Sequence, residues 1–106
     1  MDIDETLVRE IVRRVVAVAD PERIILFGSA AAGEMSPDSD IDLLVLMSGV
    51  YDAHGESVRI RQALRGLGYA FDIIVMRDER FEESKDVIGG IAFPAHRYGR
   101  VVYEAA

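Results

Sequence analysis

Asp40 and Asp42 stand one residue apart at the head of the apolar run "IDLLVLM". Aspartate is poor in strands, and burying its charge is costly unless something neutralises it. In an extended strand, residues i and i+2 share a face, roughly 6.5–7 Å apart along the chain. Two carboxylates so spaced can converge on metal ions held about 3.5–4 Å apart, an arrangement that clamps both oxygens of an in-line phosphoryl displacement. Oxygen-only ligands suit Mg²⁺ or Mn²⁺. Taken alone, the pair reads more readily as two solvated residues at a strand mouth. A third acid, Asp72, sits near the start of another apolar run, "AFDIIVM", and a neighbouring strand would bring it beside the other two. Upstream, Gly28-Ser29 follows the run "RIILF". Glycine there lets a backbone approach a phosphate and serine offers a hydroxyl, although Gly-Ser also serves turn geometry.

These residues need a scaffold, and the chain supplies the signals for one. Residues 3 to 19 read as an amphipathic helix: Leu7, Ile11 and Val15 recur every fourth residue, as do Val8, Val12 and Val16. Asp2 and Glu5 suggest a capping box, Glu5–Arg9 and Glu10–Arg14 suggest i,i+4 pairs, and Asp20-Pro21 ends the helix. Arg23 to Phe27 is a short buried strand, "AAAG" a helical turn, and "EMSPDS" a loop. Asp40 to Met47 is the second strand, residues 48 to 54 a connector, and Glu56 to Leu67 a helix with Ile60, Ala63, Leu64 and Leu67 inward. Ala70 to Met76 is a third strand. Helices near Asp78 to Asp86 and Val87 to Tyr98 follow, and "RVVYE" closes the chain. Strands alternating with helices indicate a small α/β domain, one sheet with helices packed on it, spanning residues 1–106.

Composition narrows the classes. Net charge is −7, with eleven arginines and one lysine, Lys85, so bulk electrostatic binding of nucleic acid is disfavoured. With no cysteine, disulfides and zinc–thiolate sites are excluded. The apolar runs are strand-length, with no leader and no membrane span, which leads to the expectation of a soluble cytoplasmic protein. The Walker pattern GxxxxGK[ST] is absent, so ordinary P-loop chemistry is disfavoured.

The run "GSAAAGEMSPDSDIDLLVLM" followed by "FDIIVM" resembles the minimal nucleotidyltransferases (MNT domains) of the DNA polymerase β-like superfamily. Gly28, Ser29, Gly33, Asp40, Asp42 and Asp72 match the family pattern position by position, and the closing "AHRYGRVVYEA" also resembles the end of such domains. The resemblance implies the nucleotidyltransferase fold, an α/β (α+β) architecture with a small mixed sheet packed with helices. It implies transfer of a nucleoside monophosphate, AMP from ATP, to an acceptor hydroxyl. Gly28 and Ser29 would bind the nucleotide's β/γ-phosphates. Asp40, Asp42 and Asp72 would be the catalytic and metal-binding residues, with Mg²⁺ or Mn²⁺ as cofactor.

Small MNT proteins are commonly antitoxins of HEPN ribonuclease toxins, and some add AMP to a toxin tyrosine. The resemblance therefore implies a HEPN partner, a protein acceptor and a homo- or hetero-oligomer. The chain is not itself the nuclease, since no Arg-x4–6-His dyad precedes His54 or His96. Many relatives carry arginine where this chain has Ala30 and Ala32. Two alternatives accompany the main reading: a binding-only antitoxin that masks its toxin, and a stand-alone transferase acting on a small molecule or RNA. Arg59, Arg61, Lys85 and Arg97 are the cations that could replace the lost arginines. His54 and His96 are read as surface or packing residues, and the tyrosines (Tyr51, Tyr69, Tyr98 and Tyr103) mainly as packing. Phe81, inside the charge run "RDERFEESKD", is a candidate partner anchor.

Overall fold

The computed structural model describes residues 2–36, 38–49 and 51–106; Pro37 of the expected loop and Val50 of the expected connector lie outside the described residues. The elements run α1 (Glu5–Ala19), β1 (Arg23–Phe27), α2 (Ser29–Ala32), β2 (Ile41–Met47), α3 (Ala53–Ala63), β3 (Phe71–Arg77), α4 (Asp78–Ser84), α5 (Ala92–Tyr98) and β4 (Arg100–Glu104). The described strands form one mixed sheet in the order β3-β2-β1-β4. β1 is antiparallel to both β2 and β4, whereas β2 and β3 are parallel, as a strand–helix–strand crossover through α3 requires.

The two central strands read as near-continuous apolar runs because both of their faces are covered. Ile24, Leu26, Ile41, Leu43 and Val45 join Val8, Ile11 and Val15 of α1 and Ile60 of α3 in one core. Ile25, Leu44 and Leu46 turn the other way and pack with Phe81, Ala92 and Ala95 of α4 and α5. Burying each large side chain stabilises the fold by about 1.5–3 kcal/mol.

Several local expectations change. Asp4, rather than Asp2, caps α1, its Oδ1 accepting from the Thr6 N–H at 2.8 Å. Glu5 pairs with neither a cap nor Arg9; Arg100 at the start of β4 takes it, at 2.5 Å. Glu10–Arg14 forms as expected at 2.9 Å. α3 begins earlier and ends sooner than the expected 56–67, because Gly66 and Gly68 adopt positive φ and unwind the chain after Ala63. The helix expected over Val87 to Tyr98 starts only at Ala92: Gly89 and Gly90 adopt positive φ, leaving Ile88 84% exposed. Phe81 is 1% exposed and cannot anchor a partner. It is the one large apolar residue of α4, so it turns inward, with the Arg23 guanidinium 5.1 Å from its ring centre. Among the described residues, no helix is long and apolar enough to cross a membrane.

Candidate active site

The parallel register sets Asp42 directly opposite Asp72. Neighbouring strands lie about 4.8 Å apart, so the two carboxylates leave the sheet side by side. By alternation they share the face of Leu44, Leu46, Ile74 and Met76, at the end where those apolar rows stop. Asp40 lies just before the first residue of β2 rather than inside it, and is exposed. Asp42 is half-buried and Asp72 exposed. Burial pushes the Asp42 carboxyl above its ordinary value, and the like charges of Asp72 and Asp40 add to the effect. All three aspartates singled out in the sequence therefore act on one another in the fold.

β1 arrives from the opposite direction, with Phe27 paired to Asp42, so the next residue, Gly28, is delivered against that carboxylate. Gly28 adopts φ 67°, ψ −149°, a conformation essentially confined to glycine. A Cβ there would lie 2.1 Å from Asp42 Oδ2. Backbone shape and contact both demand glycine at this position. Ser29 opens α2, whose Ala32 N–H bonds the Gly28 carbonyl at 3.1 Å. The Gly-Ser turn and the aspartates thus occupy the same end of the sheet.

The cations that could have replaced the missing arginines are engaged in other contacts. Arg59 pairs with Glu56, and Lys85 with Glu82 at 2.5 Å. Arg97 lies over the Tyr98 ring at 5.8 Å, and Arg61 donates to the Phe71 carbonyl at 2.6 Å. Of the tyrosines, Tyr51 and Tyr103 pack on the core as expected, but Tyr69 and Tyr98 are exposed. His54 and His96 are exposed, His96 standing 3.9 Å from Asp86. Several arginine contacts had no signal in the sequence. Arg14 donates to the carbonyls of Ala63 and Arg65 at the end of α3, and Arg61 reaches the strand that carries Asp72. The Arg14 contacts span 49 and 51 residues, beyond the reach of any local pattern.

A depression of about 290 Å³ lies at the opposite end of the sheet, lined by Glu22, Arg23, Asp78, Glu82, Glu104 and Ala105. Its charges largely satisfy one another, Arg23 binding Asp78 at 2.6 Å and Glu82 at 2.9 Å, so it is a structural ion-pair cluster.

Residues 6–93 match the family described as "Nucleotidyltransferase domain". The chain belongs to that family. No curated protein matches the sequence of this nucleotidyltransferase domain. Solved structures share its fold. A toxin–antitoxin complex with AMP-PNP aligns with a TM-score of 0.67 at 21% identity, over 92% of this chain and 73% of that one. A mutant MntA–HpeT toxin–antitoxin pair, with two aspartates two positions apart changed to glutamate, aligns at 0.63 and 19% identity, over 97% and 75%. An MNT antitoxin with the tri-AMPylated Shewanella oneidensis HEPN toxin aligns at 0.62 and 17%, over 97% and 74%.

The residues present fit a divalent cation. The donors are all carboxylate oxygens, and a cation would offset both the burial and the like-charge repulsion that raise the Asp42 proton affinity. Among the described residues, no three acidic or histidine side chains form a ready-made metal cage. The aspartates would therefore supply only part of a coordination shell, an arrangement compatible with Mg²⁺, an ion usually held by one or two carboxylates plus substrate phosphates.

Proposed function

We propose that this nucleotidyltransferase domain transfers AMP from ATP to a tyrosine hydroxyl of a HEPN-type ribonuclease toxin, with Mg²⁺ or Mn²⁺, and so acts as its antitoxin. The observation that carries the reading is the register placing Asp42 beside Asp72, with Gly28 closed against Asp42. Asp40 and Asp42 would hold metal and nucleotide, and Gly28 and Ser29 the terminal phosphates. Asp72 would complete the second metal site and help deprotonate the acceptor hydroxyl. The acceptor oxygen forms a bond to the α-phosphorus as the bond to the β-phosphate bridge breaks, and pyrophosphate leaves. When bound, the metal would neutralise charge on the phosphates and the attacking oxygen; phosphoryl-type transfer otherwise demands mainly positioning. The toxin–antitoxin nature of the structural relatives, one bearing AMP-PNP and another AMP on its toxin, supports both the nucleotide and the class of partner.

A binding-only antitoxin is the second reading, favoured by one observation: α2 carries Ala30 and Ala32, and Arg59, Arg61, Lys85 and Arg97 are drawn into other contacts. Incubating the protein with α-labelled ATP, Mg²⁺ and the product of the neighbouring gene separates the two. Label on that partner, lost in Asp42→Asn, establishes transfer. A stable complex without label, with Asp42→Asn still neutralising the toxin, establishes masking.

A further inference from the structure

β3 is an edge strand, and one side of its backbone has no strand partner in the described sheet. The Ala70 carbonyl turns toward β2, accepting from the Ile41 N–H at 2.9 Å. Carbonyls alternate along a strand, so the next one, Phe71, turns to the free edge. Arg61, in the last turn of α3, meets it there, Nη1 donating at 2.6 Å. The following residue is Asp72.

A second clamp holds the helix from which Arg61 reaches. Arg14, gripped by Glu10 at 2.9 Å, donates to the Ala63 and Arg65 carbonyls at 3.1 and 2.8 Å. Between the clamped end of α3 and β3 the chain passes through Gly66 and Gly68, both at φ 88°. Such a connection does little to fix the start of β3, which β2 holds on one side and Arg61 on the other. We propose that Arg61 is a positioning residue: its bond to the Phe71 carbonyl fixes the first residues of β3, and thereby holds Asp72 level with Asp42 for metal binding. This deepens the transferase reading and rests on it. Arg61 does not touch the reacting atoms.

The test counts Mn²⁺ bound to the purified protein by electron paramagnetic resonance, in the presence of a non-hydrolysable ATP analogue. Expected are about two ions per chain for the native protein and about one for Asp72→Asn, following two-metal phosphoryl-transfer sites. Arg61→Met and Arg61→Gln should both fall to about one, while Arg61→Lys, which restores a donor of similar reach, returns to about two. Arg61 is exposed. Thermal melts confirm that each variant remains folded, and the two independent replacements guard against failure of either. Native counts in Arg61→Met and Arg61→Gln would overturn the positioning role while leaving the site reading intact. A native protein that binds no Mn²⁺, or an Asp72→Asn variant with a native count, would overturn the site reading and the role of Arg61 with it.

Discussion

Replacing Gly28 with alanine should disable the site at a modest cost in stability. A side chain at φ 67°, ψ −149° occupies a backbone region that costs of order 1–3 kcal/mol. For a domain of this size that is a loss of roughly 5–20 °C in Tm. The new methyl would stand 2.1 Å from Asp42 Oδ2, where ordinary contact begins at 3.4 Å, so the carboxylate must retreat by 3.4 − 2.1, about 1.3 Å. A misplacement near 1 Å can lower rate by about 10²-fold, and Mg²⁺ tolerates little distortion of its ligands. Gly33→Ala is the matched control. Gly33 also has a positive φ, 72°, but with ψ 22° it lies in the milder left-handed helical region, and its new methyl would meet Asp2 instead of an aspartate of the site. Thermal unfolding, Mn²⁺ binding and label transfer should be measured on both. Both should lose Tm, Gly33→Ala the less, with binding and transfer lost only in Gly28→Ala. If Gly28→Ala binds metal and transfers label within a few-fold of Gly33→Ala, the reasoning fails.

With no cation bound, Asp42 should be a liability to the fold. Its carboxyl is raised in the folded state, so the fold holds that proton more tightly than the unfolded chain does. Stability then falls as pH rises from the ordinary value of 3.8 through the raised one. Asp42→Asn in EDTA should therefore be more stable than the native protein at pH 7 and no more stable near pH 3, by urea unfolding; the opposite ordering would contradict the burial of Asp42 beside two like charges. Phe81→Ala should cost about 3–5 kcal/mol through the cavity it leaves under Arg23, seen as a lower urea midpoint at unchanged slope. Native stability would mean that Phe81 lies outside the core.

Much of the site was legible in order along the chain. The spacing of Asp40 and Asp42, the lone acid in "AFDIIVM" and the Gly-Ser turn are local signals, and the fold brings them together. Helix ends were harder to read. Asp2, Asp4 and Glu5 all lie within capping range of α1, and which of them acts depends on where Arg100 arrives from the far end of the chain. Phe81 misled because ten consecutive residues rich in charge look solvated; only the position of α4 over the sheet shows that its single large apolar side chain must fill the second core.

The sequence by itself determined the alternation of elements, because hydrophobic periodicity and glycine placement act over a few residues. It also marked the candidate site, because three carboxylates at the heads of apolar strands, downstream of a Gly-Ser turn, form a rarer pattern than any one of those parts. Tertiary structure decided what depends on register and approach: that Asp72 falls opposite Asp42 and not two residues along, and that Gly28 must remain bare because Asp42 lies against it. It also decided that Arg61 is drawn to a backbone carbonyl instead of toward a phosphate. Register is set by the summed packing of both sheet faces, and an arginine goes to whichever acceptor the fold brings within reach; neither is written in the neighbouring residues.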